Sequence, residues 1–182
     1  MSRRALLFVF GTLVAVPALL LAVGFLLPGE IRVERDVIVS ADADQVFARL
    51  DSAKEWASYH RGERALGKLE TFELTGLAEG KGSGIQYYVS DRLVASYTIR
   101  EAKPPERIAY GFSWESAPVH GQGVFEISSV CDGTLVVRRE IARIGPDPIY
   151  RWFALGLREA VAEDFDAFFK EFSKDFAQTR TQ

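Results

Sequence analysis

IYRWFALGLREAVAEDFDAFFKEFSKDF, residues 149–176, is the stretch whose reading decides the fold. Ile149, Phe153, Leu157, Val161, Phe165, Phe168, Phe172 and Phe176 recur at steps of three or four, which makes them one face of a long α-helix. Gly145-Pro146-Asp147-Pro148 breaks the preceding pattern and marks the helix start. Six of the 13 phenylalanines lie in this stretch. Burying each stabilises by about 1.5–3 kcal/mol, so the face requires a large apolar partner.

The residues upstream supply that partner. From Leu66 to Ile144 the period changes to two, with strands expected over Leu66–Leu74, Gly84–Ser90, Leu93–Glu101, Arg107–Glu115, Gly121–Ser129 and Thr134–Ile144. Gly80-Lys81-Gly82, Ser90-Asp91-Arg92, Lys103-Pro104-Pro105-Glu106, Ala117-Pro118 and Asp132-Gly133 carry turn chemistry between them. Spacers this short favour an antiparallel meander. Ile31–Val39 reads as a further strand, followed by a short helix capped by Ser40 or Asp42 with Val46, Phe47 and Leu50 on its apolar face. A second short helix carries Trp56 and Tyr59 and ends at Gly62. The class is α+β, a curved antiparallel sheet on one long C-terminal helix.

Ahead of this lies an apolar run. No charged side chain occurs from Ala5 to Gly29, and Arg3 and Arg4 stand just before it. At about 1.5 Å per residue, Ala5–Pro28 has the length of a membrane span. A secretory signal peptide is the rival reading, but its apolar core is normally about 7–15 residues, and this run continues past Ala22-Val23-Gly24. Length favours an uncleaved single-pass anchor. The organisation expected is an anchor over 1–29, a domain over 30–176 and a disordered tail over 177–182. Positive charge near the anchor leans only slightly towards a domain on the extracytoplasmic side.

The chain has a formal net charge of −3, and Arg3 and Arg4 are the only charges in residues 1–29, which leaves −5 for the domain. An acidic domain without a basic stripe argues against nucleic acid as a partner. Cys131 is the only cysteine, so no intrachain disulfide forms. The two histidines, His60 and His120, are far apart, and no Cys/His/carboxylate spacing suggests a metal or cofactor site. His60 reads as an exposed loop residue and His120 as a turn residue. Gly80-Lys81-Gly82-Ser83-Gly84 superficially looks like a phosphate loop, but it lies between strands and reads as a flexible hairpin.

Several stretches together carry a family resemblance: Val37-Ile38-Val39-Ser40-Ala41 leading to Val46-Phe47, Trp56-Ala57-Ser58-Tyr59, Pro104-Pro105-Glu106-Arg107-Ile108, Gly123-Val124-Phe125-Glu126-Ile127, Asp147-Pro148-Ile149-Tyr150-Arg151-Trp152-Phe153 and Glu163-Asp164-Phe165. In this order the chain resembles the START/Bet v 1-like (SRPBCC) superfamily, in particular its polyketide cyclase/dehydrase and lipid transport branch. His60-Arg61-Gly62 departs from the Ser-Pro-Trp that many relatives carry at the cavity rim. The resemblance implies a helix-grip fold, with a cavity between sheet and long helix that holds a lipid or other hydrophobic small molecule. The alternatives are a polyketide cyclase/dehydratase-like enzyme, with His60, Tyr110, Arg138 and Glu140 as candidate acid–base groups, and a ligand-free interaction module of a membrane complex.

Strand alternation assigns Tyr87, Tyr97, Ile99, Tyr110, Phe112 and Phe125 to the cavity wall, with Ile108 and Val136, and Phe153, Leu157, Val161 and Phe165 of the long helix to its lid. Trp56, Tyr59, Trp114 and Trp152 read as core or rim packing. Arg138 and Glu140 are the contested pair. The resemblance turns their face of the last strand inward, whereas hydrophobicity turns Leu135, Val137 and Ile141 inward and leaves both charges in water.

Overall fold

A computed structural model describes residues 3–60, 71–115 and 117–177, with side chains from Phe10 onward. The order is α1 (Arg3–Leu26), β1 (Glu30–Val39), α2 (Ala43–Leu50), α3 (Ala53–Tyr59), β2 (Thr71–Gly76), β3 (Ser83–Val89), β4 (Arg92–Lys103), β5 (Arg107–Trp114), β6 (Val119–Val130), β7 (Gly133–Ile144) and α4 (Pro148–Ala177). The strands form one seven-stranded sheet in the order β1-β7-β6-β5-β4-β3-β2, and every pair is antiparallel. β2 to β7 are thus a meander, and β1 returns to the free edge of β7. The first part of the strand expected over Leu66–Leu74, the Arg61-Gly62 rim and residues 178–182 of the expected tail lie outside the described residues.

α2 and α3 close one end of the grip. Val46, Phe47 and Leu50 are buried from α2, as are Trp56 and Tyr59 from α3. Asp42 occupies the N-cap of α2 but its side chain makes no capping bond. The start of α4 is better capped: the Asp147 carboxylate accepts from the Ile149 N–H at 2.8 Å, and Pro148 takes the first helical position, where no N–H is needed.

The apolar face of α4 splits in two. Val161, Phe165, Phe168, Phe172 and Phe176 are buried against the sheet and α3, joined by Phe169. Ile149 and Phe153 are not: they are 56% and 70% exposed, so Phe153 does not close a cavity. The N-terminal turns of α4 overhang the sheet and meet α1 instead. A Cβ on Gly24 would lie 2.7 Å from Pro148, so glycine is what allows this approach. Trp152 Nε1 donates to the Leu20 carbonyl at 3.0 Å, and the Arg151 guanidinium donates to the carbonyls of Phe25 and Leu27 at 3.0 and 3.3 Å. Arg151 thereby satisfies carbonyls at the C-terminus of α1 that have no intrahelical partner.

The helix expected near the amino terminus is present, but the membrane span expected over Ala5–Pro28 finds no support. Among the described residues no helix is long and apolar enough to cross a membrane.

Phe165 is 1% exposed and sits at the centre of the α4 face. Phe165→Ala is expected to lower stability by about 3–5 kcal/mol in urea denaturation, the cost of emptying a well-packed aromatic site. A melting temperature unchanged within a degree or two would show that this ring does not hold α4 to the sheet.

Candidate functional site

The interior between sheet and α4 is packed with aromatic rings and contains a buried ion pair. On β7 the inward face is Thr134, Val136, Arg138, Glu140, Ala142 and Ile144, all buried. Leu135, Val137 and Ile141 are half-buried on the opposite face. The register is therefore the one the resemblance implies, and hydrophobicity alone misleads. Arg138 is 2% and Glu140 5% exposed.

What makes this tolerable is a set of mutual hydrogen bonds. Arg138 Nη2 donates to Glu140 Oε1 at 2.7 Å, and Arg138 Nε donates to the Tyr110 hydroxyl at 2.9 Å. The Tyr110 hydroxyl in turn donates to Glu140 Oε1 at 2.5 Å. The guanidinium carbon lies 4.0 Å from the centre of the Phe165 ring, 4.7 Å from Phe168 and 5.4 Å from Phe125. A guanidinium is weakly hydrated and stacks on aromatic faces, which suits it to this position better than lysine.

The cluster depends on a missing side chain. Tyr110 pairs with Gly123 across β5–β6, and Gly123 pairs with Glu140 across β6–β7. Tyr110 and Glu140 are thus two strands apart, about 9.5 Å at the usual spacing. A Cβ at Gly123 would collide with the phenol ring, so glycine lets Tyr110 lie across β6 and reach Glu140. Gly121 does the same for Phe112.

α3 supplies the other side of the wall. Trp56 donates from Nε1 to the Leu50 carbonyl at 2.9 Å and places its ring 5.1 Å from Tyr110 and 5.8 Å from Phe125. His60, expected in water, is 1% exposed. Its Nδ1 is 2.7 Å from the Tyr87 hydroxyl, and its ring stacks on Tyr97 at 5.3 Å. One helical turn separates Trp56 from His60, and that i, i+4 spacing was the available signal that both face inward. Burial, aided by the Arg138 charge, holds the His60 pKa well below its usual value, so the ring is neutral. Burial also holds the Tyr110 phenol well above its ordinary range; Arg138 opposes that shift and Glu140 adds to it. Tyr59 donates to Asp175 at 2.6 Å, tying α3 to the far end of α4.

Of the wall residues expected from the sequence, Tyr87, Tyr97, Ile99, Ile108, Tyr110, Phe112, Phe125, Val136 and Val161 are buried in one core cluster, and Leu157 is half-buried against it. His120 lies exposed in β6 rather than in a turn. Trp114 is buried, and Trp152 packs on α1.

Open space lies to one side of the cluster, where the α4 helix crosses the β1 edge. A cleft of about 680 Å³ is lined there by Val33, Arg35, Glu140, Leu155, Arg158 and Ala162, with Arg32, Glu34, Arg139, Ile141 and Glu159 around it. Glu140 is the member of the buried trio that reaches it. Sequence reading singled out none of the cleft arginines.

The profile of a family described as polyketide cyclase / dehydrase and lipid transport matches residues 30–177. A comparison with curated proteins returned no match. Solved structures are similar in fold. A protein of Rhizobium leguminosarum is 13% identical with a TM-score of 0.60, over 82% of this chain and 95% of that one. A norcoclaurine synthase point mutant of Thalictrum flavum, in complex with a transition-state analogue, is 8% identical with a TM-score of 0.61, over 84% and 97%. A Helicobacter pylori protein is 11% identical with a TM-score of 0.58, over 81% and 87%.

Arg138→Met leaves Glu140 buried without its cation and is expected to cost about 3–5 kcal/mol in urea denaturation. Arg138→Met combined with Glu140→Leu removes both charges and should recover most of that loss, because an apolar pair needs no solvation. A single-variant change within about ±0.5 kcal/mol would place Arg138 in solvent.

Proposed function

The chain belongs to the polyketide cyclase/dehydrase and lipid transport family, and on that premise we propose that it binds a hydrophobic small molecule or lipid between the curved sheet and α4. The observation that carries this reading is the Arg138–Glu140–Tyr110 trio, an ionised polar cluster set among aromatic rings and reached from an open cleft. A packed core gains nothing in stability from a buried ion pair that apolar side chains of equal volume could replace. An apolar site with a few converging polar groups is the usual form of a small-molecule pocket. Tyr87, Tyr97 and Tyr110 add hydroxyls on apolar bodies, which orient a ligand without making its surroundings wet.

α1 gives the domain a place to work. Phe10, Leu13, Val14, Val16, Leu19 and Phe25 are all exposed on it, and a helix apolar on all sides belongs in an apolar medium. The proposed setting is a lipid surface, with the acyl region covering α1 and the grip domain beside the headgroups.

An enzymatic reading rests on one specific observation. Tyr110 and Glu140 share a short hydrogen bond beside Arg138, with a neutral His60 on the same side of the core. Such a set is able to move a proton on a bound polyketide-like substrate. Fold likeness to a synthase adds nothing to this, because one fold hosts many chemistries.

The binding reading is tested by organic extraction of full-length protein purified from its membrane fraction, followed by mass spectrometry. A stoichiometric apolar molecule is expected, with its amount or identity changed in Arg138→Met. Recovery of none, together with failure to bind a fluorescent fatty-chain probe, would favour a ligand-free interaction module.

Attachment is tested by flotation. Full-length protein is expected to float with neutral phosphatidylcholine vesicles at high salt, since apolar contact is not screened. Protein left at the bottom of the gradient would remove the lipid surface from the reading.

A further inference from the structure

We propose that the cleft between β1 and α4 binds the oxyanion headgroup of a single-chain amphiphile, with Arg158 as its principal contact and the chain running out over Leu155 towards α1. This rests on the reading that the space beside α4 takes a ligand, and it names the chemistry of that ligand's polar end.

The volume comes first. About 680 Å³ is within the range of small-molecule sites, roughly 300–1,000 Å³. The charge is distinctive in a domain that is acidic overall. Arg32, Arg35, Arg139 and Arg158 line the cleft against Glu34, Glu159 and Glu140. Glu140 is already matched by Arg138 and Tyr110 and repels an incoming anion least.

Three of the four arginines are committed. Arg32 pairs with Glu30 at 2.9 Å, Arg35 with Asp166 at 3.0 Å, and Arg139 with Glu34 at 2.6 Å and with Glu126. Arg158 has no hydrogen bond or ion pair among the described residues, and its chain neighbour Glu159 lines the same cleft. A guanidinium offers paired donors that match a carboxylate or phosphate face to face. Arg158 therefore supplies the free fork, while the charges of Arg32, Arg35 and Arg139 are matched by Glu30, Asp166, Glu34 and Glu126.

The apolar half of the ligand follows from what adjoins the cleft. Leu155 lines it and is 58% exposed. It stands one helical turn from Trp152, whose indole bonds to the Leu20 carbonyl of α1. An apolar path thus leads from the arginines onto the exposed side of α1.

The test uses the full-length chain in nonionic detergent below any competing charge. Octyl phosphate, octanol and inorganic phosphate are titrated by calorimetry against wild type, Arg158→Gln and Arg158→Lys. Octyl phosphate is expected to bind at least tenfold more tightly than octanol or inorganic phosphate. Arg158→Gln should abolish that preference while octanol affinity stays the same, and Arg158→Lys should restore part of it. Equal binding of octyl phosphate and octanol, unaffected by Arg158→Gln, would overturn the headgroup assignment and leave apolar binding standing. Inorganic phosphate binding as tightly as octyl phosphate would overturn the amphiphile. Binding of none of the three would overturn this inference together with the binding reading beneath it.

Discussion

A guanidinium buried among phenylalanine rings sets the terms for the rest of this structure. Removing an ion from water costs several kcal/mol even after the protein relaxes, so Arg138 requires a full set of partners fixed in place. Glu140 supplies the opposite charge from the same strand, two residues on. Tyr110 supplies an acceptor for one and a donor for the other from two strands away. That reach demands glycine at position 123, because any larger residue would occupy the path of the phenol. Phe165 and Phe168 then cover the cation and bring α4 down onto the sheet. The helix, the strand register and the glycine are consequences of placing one charge.

Much of the fold was legible because it rests on period. Alternation in Ile31–Val39 and between Leu66 and Ile144, turn residues at the breaks and phenylalanines at helical spacing pointed to the strands β1 and β3 to β7 and the long helix to within a few residues. The inward direction of Arg138 was not legible from hydrophobicity, since Leu135, Val137 and Ile141 compete for the same role and a tally of apolar side chains favours them. What reverses the tally is the set of partners, and one of them, Tyr110, lies on β5, 28 residues from Arg138 and 30 from Glu140. His60 failed for a related reason. A histidine two residues before a glycine reads as loop, and its pairing with Tyr87 and stacking on Tyr97 accompany its burial. Phe153 failed in the opposite sense: its helical phase is right, but α4 is longer than the sheet is wide, so its first turns extend past the surface they would cover.

That overhang explains where the open space is. The C-terminal half of α4 is fixed by Phe165, Phe168, Phe172 and Phe176 and by the Tyr59–Asp175 bond. Its first turns are fixed differently, by Arg151 and Trp152 on the carbonyls of α1. Between these two anchorages, from Leu155 to Ala162, no aromatic side chain occurs, and the Arg35–Asp166 pair ties β1 to the next turn of the helix. β1 is an edge strand, so no further strand fills the gap beyond it. A cleft at this point is the geometric result of holding one long helix at both ends by unlike contacts. The cleft joins charged side chains, Glu140 and Arg158 among them, to the apolar Leu155, one helical turn from the Trp152 contact with α1. This juxtaposition of charge and apolar surface is the physical basis of the amphiphile proposal.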